Sequence, residues 1–350
     1  MNALKGRTWL RVGIGRAEES RAQTCAGLGS IAWAALAILA RSGIAPIGAI
    51  ELIFLFGPLV IVPLGMELTR IIGSRGRINR VARRLQPIGA GLAVVALWLP
   101  PGRLAGVAAS GWMIVCALMG LSAVMETFAV SYLNEAPSSR IPGSRNFGET
   151  GGTPFRGTLL MLTLCLARID LLVGGAWLVA SRLGMQPMGI QEPIGLLTAV
   201  HFHFAGFATA LIAAATLHFA ARRRAERWLR WVVLAVATMP YVVAVGFVVS
   251  PMLKMVAGVL FSLCVAALAV FLRSSGKMAQ NSTARILLQI APACVFAGMV
   301  LAAVYAIADF RGSDVLPIPQ MARTHGVLNA VGFCMCGLLG WLIEFNPPTE

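Results

Sequence analysis

The chain has 350 residues and a mass of 37.0 kDa; 58% of the residues are hydrophobic, 12% are charged, and the mean hydropathy is +0.79. A soluble domain carries about 25% charged residues, and a water-soluble globule of this size cannot hide so much apolar surface. Composition therefore excludes a cytosolic enzyme, a disordered chain and a disulfide scaffold, and predicts an all-α polytopic transmembrane bundle with the lipid bilayer as its main partner.

A spanning helix needs about 20 mostly apolar residues. Ten runs approach that length: 24–40, 43–66, 85–100, 105–125, 158–180, 194–220, 231–249, 252–272, 286–307 and 324–345. A basic leader, residues 1–23, precedes them. A basic leader before a short apolar stretch also matches a signal peptide. This leader is long, however, and no small-x-small cleavage site opens onto a polar start, so a retained first helix is expected. The segment 134–157 is rich in Gly, Pro, Ser and Arg and reads as a cytoplasmic linker. It divides the chain into four helices (24–133) and six (158–345).

The formal charge is +15, from 29 Lys and Arg against 14 Asp and Glu. In a soluble protein this would suggest nucleic acid. Here the basic residues lie in short clusters between apolar runs, which is a topology signal, and no nucleic-acid partner is expected. With both termini inside, 22 basic residues fall in cytoplasmic segments and five (Arg41, Arg103, Arg182, Arg311 and Arg323) on the other side. Arg168 and Lys254 fall within runs. The split fixes the orientation and supports an even helix count. The seven cysteines form no CxxC or zinc spacing and are expected to pack as small apolar side chains.

Ionisable groups at membrane depth are costly, so each needs an account. Glu51 is placed about two turns from the outer end of the second run, ahead of Pro58 and Pro63, which are expected to kink the helix. Arg168 and Asp170 sit near the middle of the fifth run. At i and i+2 they do not face each other, so each should find a partner on another helix or mark an irregular backbone. The sixth run carries His201 and His203 in its outer half and His218 near its inner end. The tenth carries His325 and Asn329 in its first two turns. Glu51, Asp170, His201, His203, His325 and Asn329 thus form a candidate substrate or proton site in the outer half of the membrane. Depth alone does not place the second, sixth and tenth runs side by side. Gly174 and Gly175 read as a close helix approach.

His201 and His203 are about 200° apart around an ideal helix, so both cannot bind one ion unless the helix unwinds. Three imidazoles (His201, His203 and His325) with a carboxylate suit zinc, iron or copper, and a proton relay equally well. No GxSxG, HExxH or serine beside a plausible base is present, so an enzyme is not expected.

The stretches "LLTAVHFHFAGF" and "RTHGVLNAVGF", with "IVPLGMEL" and "GGAWLVASRLG" before them, resemble the YndJ-like family of bacterial membrane proteins over most of residues 45–345. The resemblance implies a multi-pass protein of the bacterial plasma membrane and, through a label sometimes given to the family, a transporter. It implies little further chemistry. Locally, "AVHFHF" resembles the helix of haem–copper oxidase subunit I whose two histidines ligate two haems on opposite faces. Those oxidases need six histidine ligands, and this chain has four histidines in all, so a complete oxidase is excluded. A single bis-histidine haem, His201 or His203 with His325, stays open. Three readings follow: a transporter of a small solute or ion, a haem- or metal-binding redox or sensor protein, and a structural or assembly protein without a site.

Overall fold

The computed structural model describes residues 24–346 apart from 75, 136–153, 221–225, 314 and 316. The leader 1–23 and most of the linker 134–157 lie outside the described residues. Within them the chain is a helical bundle with no β-strand. The helices are α1 (Thr24–Arg41), α2 (Ala49–Ile72), α3 (Arg77–Trp98), α4 (Arg103–Glu135), α5 (Pro154–Arg182), α6 (Ile194–Phe219), α7 (Glu226–Val249), α8 (Pro251–Gly276), α9 (Ser282–Phe310) and α10 (Ile318–Phe345). Nine of these are long and apolar enough to cross a membrane. The remaining one, α3, has 22 residues, which span about 33 Å. Its first two turns carry Arg77, Arg80, Arg83 and Arg84, which dilute its hydropathy.

The bundle is apolar on the outside and tightly packed within. On α4, Leu104, Val107, Ile114 and Leu121 form an exposed stripe, while Trp112, Val115, Cys116 and Met119 are buried on the opposite side. Lipid is the natural solvent for such a stripe. The most enclosed helices are α2 and α6, with 72% and 78% of their apolar windows buried, against 17% for α1. Consecutive helices pack as neighbours, and α2, α6 and α10 meet at the centre. All seven cysteines are free thiols.

Each central helix contains π-helical turns: Gly57–Ile61 in α2, Phe202–Ala208 in α6, and Ala322–Gly326 and Leu328–Met335 in α10. In α2 the cause is legible. The Val62 N–H donates to the Gly57 carbonyl. The Pro58 carbonyl would next need an N–H from residue 63, which is a proline and has none. Gln86 of α3 supplies the missing donor, at 2.7 Å from its amide nitrogen to the Pro58 oxygen. In lipid such a replacement is obligatory, because no water reaches an orphaned carbonyl. In α6, the Thr209 hydroxyl reaches back 2.8 Å to the Phe204 carbonyl.

The face where α2 ends and α3 begins holds most of the buried charge, and we call it the basic face; the other is the distal face. Glu67, buried on α2, is salt-bridged to Arg70 and, at 3.6 Å, to Arg83 of α3. Arg156 of α5 donates 2.9 Å to the His218 carbonyl at the end of α6 and lies 3.6 Å from Glu226 of α7. This guanidinium satisfies carbonyls that a helix end leaves open. The His218 ring packs edge-on against Phe345. On the distal face, Lys254 pairs with Asp309 at 2.7 Å, tying α8 to α9.

Arg168 has the interhelical partner that its depth calls for. Its guanidinium bonds Glu126 of α4 at 2.7 Å and Ser74 at 3.1 Å, while Nε donates to its own Leu164 carbonyl at 3.0 Å. Ser74, Ser122 and Asn79 complete the network. Replacing Glu126 by Gln leaves a buried guanidinium without its counter-charge. Glu126→Gln is therefore expected to destabilise the detergent-solubilised protein by about 3 kcal/mol, the low end for breaking a buried pair because Glu126 keeps some exposure. Denaturant unfolding monitored by tryptophan fluorescence reads this.

Candidate functional site

The packing of α2, α6 and α10 decides which of the six candidate residues share surroundings. The π turn of α2 touches those of α6 and α10, and those two also touch each other. The polar side chains carried by these helices nevertheless separate into distinct groups.

His203 is fully buried and points into the junction of α2, α4, α5 and α6. The Trp112 indole Nε1, which can only donate, gives its hydrogen to His203 Nε2 at 3.0 Å. The other ring nitrogen, Nδ1, therefore carries the proton and donates to the Ala199 carbonyl at 2.8 Å. Phe54 meets the ring edge-on, with centroids 5.0 Å apart, and Trp112 stacks beside it. A Cβ at Gly174 would lie 2.6 Å from Nδ1, so α5 can pass this close only as glycine. Its neighbour Gly175 abuts Cys116 of α4 in the same way. Both nitrogens of His203 are engaged within the protein.

His201 faces the other way, toward α10. Its side chain is exposed there. Its Nδ1 donates to the Leu197 carbonyl at 2.7 Å. His325 lies within electrostatic reach of His201, and its Nδ1 donates to the Gly298 carbonyl of α9 at 2.8 Å. Asn329, one turn on, donates to the His325 carbonyl at 2.7 Å and lies 3.1 Å from the ring. In both histidines a carbonyl holds the Nδ1 hydrogen, so in the neutral ring Nε2 keeps its lone pair. The structure thus joins His201, His325 and Asn329, and separates His203 from them.

Glu51 stands apart from the histidines. Helix α2 begins at Ala49, so Glu51 lies in the first turn of the helix, although it is about two turns into the apolar run. There its carboxylate folds over Gly48 and is electrostatically linked to Arg182. An acid at this place also favours the helix start through the macrodipole. Asp170 is fully buried near the midpoint of α5, against Gly206 of α6, where a Cβ would lie 2.7 Å from the aspartate Cβ. Among the described residues neither Asp170 oxygen has a hydrogen-bond partner.

Three contributors escape a reading of the sequence by polarity: Trp112, Tyr241 and Gln86. Each sits alone in an otherwise apolar or basic helix, and only a donor-bearing side chain at mid-span hints at a role. Among the described residues no group of three His, Cys, Asp or Glu side chains converges as a set of metal ligands.

Trp112→Phe keeps the ring but removes the N–H, leaving a buried imidazole acceptor unpaired. A loss of about 1–3 kcal/mol is expected. Gly174→Val, which forces a branched side chain against the imidazole, is expected to cost about 1–3 kcal/mol. Thermal unfolding in detergent checks both.

The sequence profile of the YndJ-like protein family matches residues 52–333, from α2 into α10. Over 180 residues the chain is 29% identical to the "Uncharacterized membrane protein YndJ" of Bacillus subtilis (strain 168). That alignment covers 51% of this chain and 32% of the relative, so the match extends over about a third of the relative's length. No solved structure matches the chain. The profile takes in all four motif stretches with His201, His325 and Asn329, and on that extent the chain belongs to the YndJ-like protein family.

Proposed function

We propose that this protein moves a small solute or ion across the bacterial plasma membrane, and that its binding site is formed by His201, His325 and Asn329. The observation that carries the reading is the pair of imidazoles on α6 and α10. Each has its Nδ1 hydrogen anchored on a backbone carbonyl, which leaves Nε2 as the acceptor; that of His201 meets a ligand or a proton directly, and that of His325 shares it with the Asn329 amide 3.4 Å away. The site lies beside π turns on both helices. Such turns hold spare backbone geometry and recur at functional sites. Glu51 and Arg182 place charges of both signs at the distal ends of α2 and α5, where a charged solute would enter. Asp170 lies deeper, between α5 and α6. His203 serves this site as a positioning residue, setting the rotation of α6.

The test is flux in proteoliposomes, with a panel of small anions, cations and amino acids and with internal pH followed by dye. His201→Ala and His325→Ala are expected to lower the active flux at least about tenfold, equivalent to ~1.4 kcal/mol, with unchanged elution and secondary structure. Intact flux in both variants, and in Glu51→Gln, would remove this site from the mechanism.

Imidazoles oriented through Nδ1 also suit ligation of a haem or transition metal through Nε2. On this second reading the purified protein carries a Soret band or stoichiometric metal, lost in His325→Ala. A colourless, metal-free and stable preparation excludes it.

A further inference from the structure

Asp170 is the buried charge-bearing group for which the bundle supplies no counter-charge. Its side chain is fully buried near the middle of α5, and among the described residues both carboxyl oxygens lack a hydrogen-bond partner. Other buried acids differ. Glu67 has Arg70 and Arg83, and Glu226 has Arg156 and Arg230.

The groups around Asp170 can be named helix by helix. On its own helix, Arg168 turns away to Glu126, and Cys165 neighbours Tyr241. From α6 the contact is Gly206, which brings backbone and no side chain. From α7 comes Tyr241, whose hydroxyl faces the carboxyl outside ordinary hydrogen-bond geometry and has no other partner among the described residues. The Tyr241 ring rests on Phe202, next in the chain to His201. No cation is among these neighbours.

We propose that Asp170, facing Tyr241, is an intramembrane proton-binding site. An ionised carboxylate faced by a single phenol and no cation is too costly in this surrounding, whereas the carboxylic acid is neutral. Binding forms one O–H bond on Asp170 with a proton from solvent, and release returns that proton; no oxidant or second reactant is involved. A metal cation would need several further oxygens, and one phenol is what the surrounding offers. Close contact with Gly206 means that a shift of α6 opens or shuts the space beside the carboxyl. The inference stands whether or not the histidine site above takes a solute.

The test exploits composition: the chain contains three aspartates, Asp170, Asp309 and Asp314. Full-length protein labelled with carboxyl-¹³C aspartate, in liposomes, is followed by infrared spectroscopy across pH. One labelled carboxyl is expected to show a protonated C=O band at neutral pH. That band should vanish in Asp170→Asn, titrate away on the alkaline side, and change its midpoint in Tyr241→Phe. The wild-type spectrum is informative even if a variant fails to fold. A spectrum with every labelled aspartate ionised at neutral pH overturns the proposal, as does a protonated band that persists in a folded Asp170→Asn protein. Failure of the flux assay with the band present rejects the solute site alone.

Discussion

His203 is held by two hydrogen bonds that point in different directions. Trp112 of α4 donates to one ring nitrogen, and the other donates back to α6's own backbone. Because the indole can only donate, the tautomer is determined, and with it the rotation of α6 about its axis. Gly174 hollows out α5 to admit the ring. Once α6 is locked in this way, His201 must face the opposite side, toward α9 and α10. The face that His201 presents is thus set by a buried contact on the far side of the same helix.

The membrane-depth charges divide by whether they are answered. Arg168 is enclosed by Glu126, Ser74 and its own Leu164 carbonyl, and so joins the α2–α3 turn, α4 and α5 near the basic face. Asp170, two residues later, has turned to α6 and α7 and meets glycine and a phenol. The same helix therefore carries a structural ion pair on one side and an unanswered acid on another. Low dielectric makes the difference between them large.

Irregular backbone recurs where the polar groups gather. The π turns of α2, α6 and α10 touch one another, and each is closed by a local device: Gln86 on the Pro58 carbonyl, Thr209 on Phe204, and the Cys336 thiol on Val331. Backbone of this kind survives inside a membrane only where protein surrounds it. On α2 and α6, the best enclosed helices, its position follows from that requirement.

The membrane class, the helical architecture, the run of spans and the family were legible in the sequence, because hydropathy and charge clustering act along the chain. The close approach at Gly174 and Gly175 and the opposed faces of His201 and His203 were legible too, since helix geometry alone dictates them. Where Pro58 and Pro63 suggested a kink, the structure has a π turn. Glu51 was expected about two turns into its run, but apolar residues 43–48 extend that run before the helix begins at Ala49. The meeting of α2, α6 and α10, the pairing of Trp112 with His203, the joining of His201 to His325 and the lack of a partner for Asp170 depend on contacts between residues far apart in the chain. Periodicity assigns each residue a depth and a face, but only the packing of one helix on another selects which faces meet.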